Sequence, residues 1–315
     1  ITVFGNTKFK KIFDLKYVNI DTKKVLFSSQ TRDYVNNFIK IEKEFNSSII
    51  EVHNRTSYIN IINEKIKNKI LTLYFHNDPL SMDGSKTITQ RKKLLKSCYK
   101  IIFNSTWSKK RFLEGLENKF VNSNKLLVFY QSAQKGNLTL LKKKKKWITF
   151  VGKLNKAKGY DIFAKSHIKH LKNSKFKDLI NDEVISNIMF ISNNLNCEQI
   201  NDLYGISDCY VSPYLAEGFG LTPLEASSSG TPIVITKGGS TDDYFSPIMG
   251  EQISSKLVTN KNASYLRPNI DSLVESINLI ITSPEKYGGK SSHGLVSDKF
   301  SVKKSVQKLF NEINS

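Results

Sequence analysis

The stretch Cys209–Gly239, CYVSPYLAEGFGLTPLEASSSGTPIVITKGG, constrains the fold more than any other part of the chain. An apolar strand over Cys209–Pro213 runs into a glycine-rich loop, Glu217-Gly218-Phe219-Gly220. A helix is predicted over Pro223–Ser229, with Thr222 as N-cap, Pro223 at its first position and Gly230 just past its end. A second strand, Pro232–Thr236, follows. The free N–H groups at such a helix start carry partial positive charge and suit a phosphate. Glycines at 218 and 220 let backbone approach a ligand closely.

The rest of the chain repeats that alternation. Strands are predicted at Thr2–Phe4, Tyr17–Ile20, Val25–Phe27, Ser48–His53, Lys69–Phe75, Ile101–Asn104 and Leu126–Tyr130. Helices fall between them at Thr31–Phe45, Tyr58–Lys67, Gln90–Ser97 and Ser108–Glu117, with Ser57 and Thr89 as N-caps. Five successive lysines, Lys142–Lys146, repel one another and read as a linker. Beyond them come strands at Trp147–Val151, Asn187–Ser192, Cys209–Pro213 and Pro232–Thr236, and helices at Gly159–Asn173, Cys197–Gly205, Pro223–Ser229, Asp271–Ile281 and Val302–Ile313. Parallel α/β layering accommodates such a pattern. The expected organisation is a first domain over 1–141, the linker 142–146, a second domain over 147–298, and a C-terminal helix in 299–315 placed to pack back on the first domain.

The 315 residues carry 48 Lys and Arg against 28 Asp and Glu, a net charge of +20. Only five of the basic residues are arginine, whereas bidentate reading of bases favours arginine. No nucleic-acid-binding grammar supports a nucleic-acid partner. The charge points to a phosphorylated substrate or an acidic membrane surface, and abundant Lys, Asn and Ile are also what an AT-rich genome produces. Three cysteines without a CxxC pair suggest a reducing compartment and offer no disulfide framework or zinc site. Apolar runs are too short for a membrane span, and no leader precedes Ile1. A cytoplasmic protein, working at the inner face of the membrane, is the expectation.

Glu217 and Glu225 flank the glycine-rich loop. A carboxylate cannot hold a diphosphate, but it accepts hydrogen bonds from vicinal sugar hydroxyls. The pair therefore fits a ligand with a sugar on either side of its phosphates, a nucleoside diphosphate sugar. A structural alternative exists for each. Thr222-x-x-Glu225 has the spacing of a capping box, and Glu217 alone is an ordinary loop acid. His53, His167, His170 and His293 are read as structural, His293 in a loop, and Asp242-Asp243 as turn chemistry.

Taken together, EGFGLTPLEA with its Glu217-x7-Glu225 spacing, SDCYVSPY before it and SGTPIVIT after it resemble the retaining glycosyltransferases of group 1, the glycogen-synthase-like enzymes of family 4 that include bacterial cell-surface polysaccharide members. Phe150–Asp161, FVGKLNKAKGYD, is similar to that family's strand–loop–Lys-Gly–helix element. Leu73–Pro79, LYFHNDP, and Ile101–Leu113 resemble the N-terminal domain of its cell-surface members. The resemblance implies the GT-B fold: α/β, with two Rossmann-like parallel domains facing a central cleft. It implies that Glu217 contacts the transferred sugar and Glu225 the ribose. Backbone around Gly218, Phe219, Gly220, Leu221 and Thr222 would meet the diphosphate, and Gly152, Lys153 and Lys158 would line the leaving phosphate. His76 would stand near the reacting sugar and acceptor, which makes Glu217, His76 and Lys158 the catalytic candidates. The implied partners are a nucleotide sugar and a glycan or lipid-linked acceptor, with peripheral contact to an acidic membrane surface.

No Asp-x-Asp triplet occurs, so the usual ligand of a metal clamp is missing, and no metal or other cofactor is expected. Fixed cations and helix N–H groups act on the charge that grows on a departing diphosphate. Two departures stand against the resemblance. No glycine-rich loop follows the first strand, so the first βα unit is expected to be missing, and the interval from Asn173 to Asn187 is short for the strand the family inserts there. The alternative reading is therefore a catalytically defective relic of the same fold, or a basic anion- or nucleic-acid-binding α/β protein.

Overall fold

The computed structural model describes residues 1–6, 16–22, 29–139, 147–173, 191, 194–259 and 264–314. The expected strand at Val25–Phe27, the lysine run, and the expected strand at Asn187–Ser192 with its shortened approach lie outside the described residues, apart from Ile191. The chain divides into two compact units. One holds Ile1–Asn104 and Ser108–Val128, the other Ser105–Trp107 and Phe129–Ser315.

In the first unit, β1 (Thr2–Gly5) and β2 (Lys16–Asn19) pair in parallel. After α1 (Gln30–Phe45), β3 (Ile49–His53), β4 (Ile70–Phe75), β5 (Lys100–Phe103) and β6 (Leu126–Val128) form a four-stranded parallel sheet in chain order. The intervening helices are α2 (Thr56–Lys65), α3 (Ile88–Ser97) and α4 (Thr106–Leu113), the first two residues of α4 being counted with the other unit. Strand β3 buries Ile50 and Val52 and leaves Ile49, Glu51 and His53 outward, the alternation of a strand covered on one face. The central strands β4 and β5 are apolar nearly throughout, and Leu73, Phe75, Ile101, Phe103 and Phe112 lie at the centre of the core.

Two caps differ from the sequence reading. Helix α2 begins two residues earlier than expected, after Arg55, so Ser57 lies inside it. Helix α3 is capped by Thr87, whose hydroxyl accepts from Gln90 N–H at 3.2 Å while the Gln90 side chain reaches back to Thr87 N–H at 3.1 Å. Two caps two residues apart were available in Thr87 and Thr89, and the reciprocal bond selects the one with Gln at its third position.

In the second unit, β7 (Ile148–Thr149), β8 (Cys209–Ser212), β9 (Ile233–Thr236) and β10 (Gly250–Ile253) form a parallel sheet ordered β10-β9-β8-β7. Its helices are α5 (Tyr160–Asn173), α6 (Cys197–Ile206), α7 (Leu221–Ser228), α8 (Ile270–Thr282), α9 (Gly289–Phe300) and α10 (Val302–Asn314). Every residue of β8 and β9 is buried, which fits their largely apolar sequences, CYVS and IVIT. Strand β10, the antiparallel hairpin β11 (Ser255–Thr259) with β12 (Ser264–Pro268), and α9 were not predicted. His293 lies on α9 rather than in a loop, and its Nδ1 meets the Ser228 carbonyl at 2.5 Å. Among the described residues, no helix is long and apolar enough to cross a membrane.

Candidate active site

The predicted residues of the second unit gather at the carboxyl edge of its sheet, where ligands bind in open parallel sheets. Gly152 follows β7, Pro213 follows β8, and the glycine-rich loop leads from there into α7. That helix starts earlier than the sequence suggested. Gly220 is its N-cap, at φ 87° and without a side-chain cap, so Thr222 and Pro223 are the second and third helical residues. The left-handed backbone at Gly220 explains the shift. A Cβ there would stand 2.6 Å from Thr241 Cγ2 and 2.8 Å from the Tyr244 hydroxyl, and that hydroxyl donates to the Gly220 carbonyl at 2.8 Å. Packing from behind sets the helix start, and no local side chain competes for it.

This start dissolves the capping-box reading of Glu225. Thr222 is not a cap, and its hydroxyl instead accepts from Tyr210 at 2.8 Å. Glu225 sits in the second turn, half-buried, and burial raises its carboxyl above the usual carboxylate range, with the nearby Tyr204 phenol acting in the opposite direction. Leu221 and Thr222 occupy the first turn, where N–H groups have no intrahelical acceptor. Phe219 contributes only backbone to this edge. Its ring is buried against Tyr130, Tyr244 and Phe300.

Lys158 reaches this loop through a tight turn. Asn155 caps a single 3-10 turn over Lys156–Lys158, and Gly159 ends it at φ 74°. A Cβ on Gly159 would lie 1.9 Å from the Pro213 carbonyl oxygen, so only glycine lets the turn dock against the end of β8. The Ala157 carbonyl then accepts from Leu215 N–H at 2.8 Å. This docking brings the Lys158 ammonium into an ion pair with the Glu217 carboxylate, both half-buried. The other Glu217 oxygen accepts from Gly218 N–H at 3.1 Å, and Ser240 Oγ donates to the Glu217 carbonyl at 3.0 Å. Lys153 is exposed in the loop between β7 and the turn, and its ammonium makes no ion pair with a described carboxylate. Gly152 is also exposed, and a Cβ there would make only ordinary contact, 3.5 Å from Phe150 Cζ. Asp242 behaves as the turn residue expected of it, accepting from Gly238 N–H at 2.9 Å.

In the first unit, His76 follows β4 directly. Its backbone is held from both neighbouring strand ends: the Asn54 side chain accepts from His76 N–H at 2.8 Å, and the Asn104 amide donates to the His76 carbonyl at 2.8 Å. Burial, and secondarily His53, lowers the imidazole pKa to about 4, against a smaller opposing effect of Glu51. His53, read from the sequence as structural, is a partner of His76: its Nδ1 lies 2.8 Å from His76 Nε2, and its Nε2 lies 2.7 Å from Glu51 Oε1. Period-2 alternation puts Glu51 with His53, and Tyr74 with His76, on one face of adjoining strands, a signal that EVH and LYFH carry once the strands are paired. Asp78 caps the turn after His76 and is clasped by Arg111, whose Nη2 stands 3.1 Å from Asp78 Oδ2. Among the described residues, no three His, Cys, Asp or Glu side chains are grouped as a metal site requires.

Residues 134–288 match the family described as glycosyl transferases group 1. The chain is 28% identical to the alpha-1,3/1,6-mannosyltransferase ALG2 of Dictyostelium discoideum over 155 residues, 49% of this chain and 34% of that protein. It is 32% identical to the lipopolysaccharide core biosynthesis mannosyltransferase LpsB of Rhizobium meliloti (strain 1021), over 30% of this chain and 32% of that protein. The chain thus spans about a third of the length of the curated relatives it matches. The crystal structure of Anabaena HepE in complex with UDP and glucose superposes with a TM-score of 0.70 at 15% identity, covering 96% of this chain and 86% of that one.

Proposed function

Because its second unit belongs to the glycosyl transferases group 1 and its fold is GT-B, we propose that this protein is a metal-independent, retaining hexosyltransferase. It moves a sugar from a nucleoside diphosphate sugar to a glycan or glycolipid acceptor in the assembly of a cell-surface polysaccharide. The observation that carries the reading is the ion pair of Lys158 with Glu217 beside the α7 N-terminus, with Glu225 half-buried one turn further on.

Each group has work in such a transfer. The ribose diol donates hydrogen bonds to Glu225, which compensates the burial of that carboxylate. The diphosphate meets the N–H groups of Leu221 and Thr222. Lys158 leaves Glu217 for the phosphate, and Glu217 is then available to accept from hydroxyls of the transferred sugar. As the glycosyl–phosphate bond breaks, its electron pair stays on the phosphate oxygen, where the Lys158 charge and the helix N–H groups stabilise it. The acceptor oxygen bonds to the anomeric carbon on the same face and passes its proton to that phosphate oxygen. Lysine and backbone thereby replace the ion that a metal-dependent transferase uses. The basic chain, in the cytoplasm at an acidic membrane face, meets a lipid-linked acceptor there.

The names of the two relatives support a mannosyl donor as the first to try. Saturation-transfer NMR against UDP-, GDP-, ADP- and CMP-sugars, with Glu225→Ala as control, tests the reading. Selective binding of one nucleotide that is lost in the variant supports it. A folded protein that binds none contradicts it and favours the relic.

A further inference from the structure

Tyr204, on α6, is fully buried, and its hydroxyl has no hydrogen-bond partner among the described residues. A buried donor left unpaired loses its hydration without return, so each one asks for a reason. The ring itself is fixed. It stands edge-on to Tyr210 at 5.5 Å and 90°, and the Tyr204 carbonyl accepts from Thr231 Oγ1, between α7 and β9, at 2.5 Å. Leu224 and Ala226, on either side of Glu225 in α7, belong to the same core cluster. The phenol faces the Glu225 carboxyl, where its hydrogen-bonding effect opposes the rise that burial causes. The two groups nevertheless stop short of a closed hydrogen bond. Closure takes a rotation of the half-buried Glu225 side chain, since the packed tyrosine cannot turn. The neighbours are already engaged. The Tyr210 hydroxyl bonds to Thr222 at 2.8 Å and to the Val151 carbonyl at 3.2 Å, and Glu217 is paired with Lys158. Burial, then Tyr210 and Glu225, raise the Tyr204 phenol well above its ordinary value, so it stays a donor throughout the neutral range.

We propose that Tyr204 is a positioning residue for Glu225: its phenol donates to one carboxylate oxygen and leaves the other to the ribose diol. The role of the diol rests on the glycosyltransferase reading; the bond from phenol to carboxylate does not. A carboxylate held by a fixed donor has one orientation rather than several, so the diol meets a preset acceptor. Among the described residues, the other titratable groups around the pair are Tyr210 on β8, whose phenol burial also keeps protonated, and Glu217, which acts on Tyr210 from the loop and is paired with Lys158. Tyr204→Phe leaves these groups in place and retains the ring that packs on Tyr210.

The test is ¹³C-detected titration of the side-chain carboxyls in the labelled full chain, with Glu225→Gln for assignment. In Tyr204→Phe, Glu225 is expected to bind its proton roughly tenfold more tightly than in the wild type, the scale of one hydrogen bond to a charged group. The Glu225 midpoint therefore moves to higher pH, because the variant has lost the donor that favoured the ionised form. An unchanged or lower midpoint overturns the proposal and leaves the hydroxyl as an unpaired passenger of core packing. In nucleotide titrations at neutral pH, Tyr204→Phe is expected to weaken affinity roughly tenfold and to carry the acid-side loss of binding to higher pH. A residue that merely packs would move neither the carboxyl midpoint nor the pH at which binding is lost. A raised midpoint with unchanged affinity also overturns the positioning role. Since the carboxyl titration needs no sugar donor, a protein that binds no nucleotide sugar refutes the transferase reading and leaves the phenol–carboxylate result standing.

Discussion

Replacing Gly159 by alanine isolates what the Lys158 turn contributes. Three costs are visible. The φ of 74° is a left-handed conformation that costs an L-residue about 1–2 kcal/mol. The new Cβ would stand 1.9 Å from the Pro213 carbonyl oxygen and 2.6 Å from its carbon, both backbone atoms that cannot rotate away. The turn must therefore retreat from β8 by about 1 Å, which breaks the 2.8 Å bond from Leu215 N–H to the Ala157 carbonyl and loses about 1 kcal/mol. The total is about 3 kcal/mol of stability, read by urea unfolding of the full chain. The same retreat withdraws Lys158 from Glu217, and a misplacement of that size costs about 10²-fold in turnover. Gly152→Ala is the internal control, because its Cβ has room: stability should hold within ~0.5 kcal/mol while donor affinity falls. If Gly159→Ala loses less than ~0.5 kcal/mol and keeps its turnover, the clamp against Pro213 is not what places the lysine.

Further outcomes follow from the charges. Lys158→Ala should lower turnover by about 10²–10³-fold, with a smaller change in nucleotide-sugar affinity measured by titration calorimetry. Glu225, whose carboxyl is raised by burial, binds protons more readily folded than unfolded, so it costs stability as pH rises through the carboxylate range. Glu225→Gln should therefore raise Tm at neutral pH while weakening nucleotide binding; in the wild type, affinity should drop on acidification at a pH above the ordinary carboxylate range. His76 has the opposite linkage. Its pKa near 4 lies below the unfolded value of 6.5, so the unfolded chain takes up the proton first and stability is lost as pH falls from 6.5 toward 4. His76→Gln should flatten that part of the Tm–pH curve.

Most of the architecture was legible because it rests on alternation. Apolar runs such as ILTLYF and IVIT have one solution between helices, and the strands at 49–53, 70–75, 209–212 and 233–236 stand where the pattern puts them. Helix starts were less legible. Thr222 looked like a cap because its side chain suits one, but the αL position at Gly220 is imposed by Thr241 and Tyr244, about twenty residues away. The hairpin 255–268 carries lysine, serine and threonine where a buried strand carries apolar residues, so it gave no periodic signal. His53 was passed over for a related reason: its meaning depends on which strand lies beside it. Only the register of β3 on β4 turns two separate histidines into a pair.

The burial of Phe219 has a consequence for how this protein would change under selection. The one aromatic ring of the glycine-rich loop rests on Tyr130, Tyr244 and Phe300, of which Tyr130 and Phe300 belong to distant parts of the sequence. A different sugar would ask for a different loop position, while the glycines themselves have no side chain to vary. Adaptation would therefore be recorded behind the loop. Trimming or enlarging the rings at 130 and 300 resets its height, so variants with altered donor preference should carry changes at positions that never meet the donor.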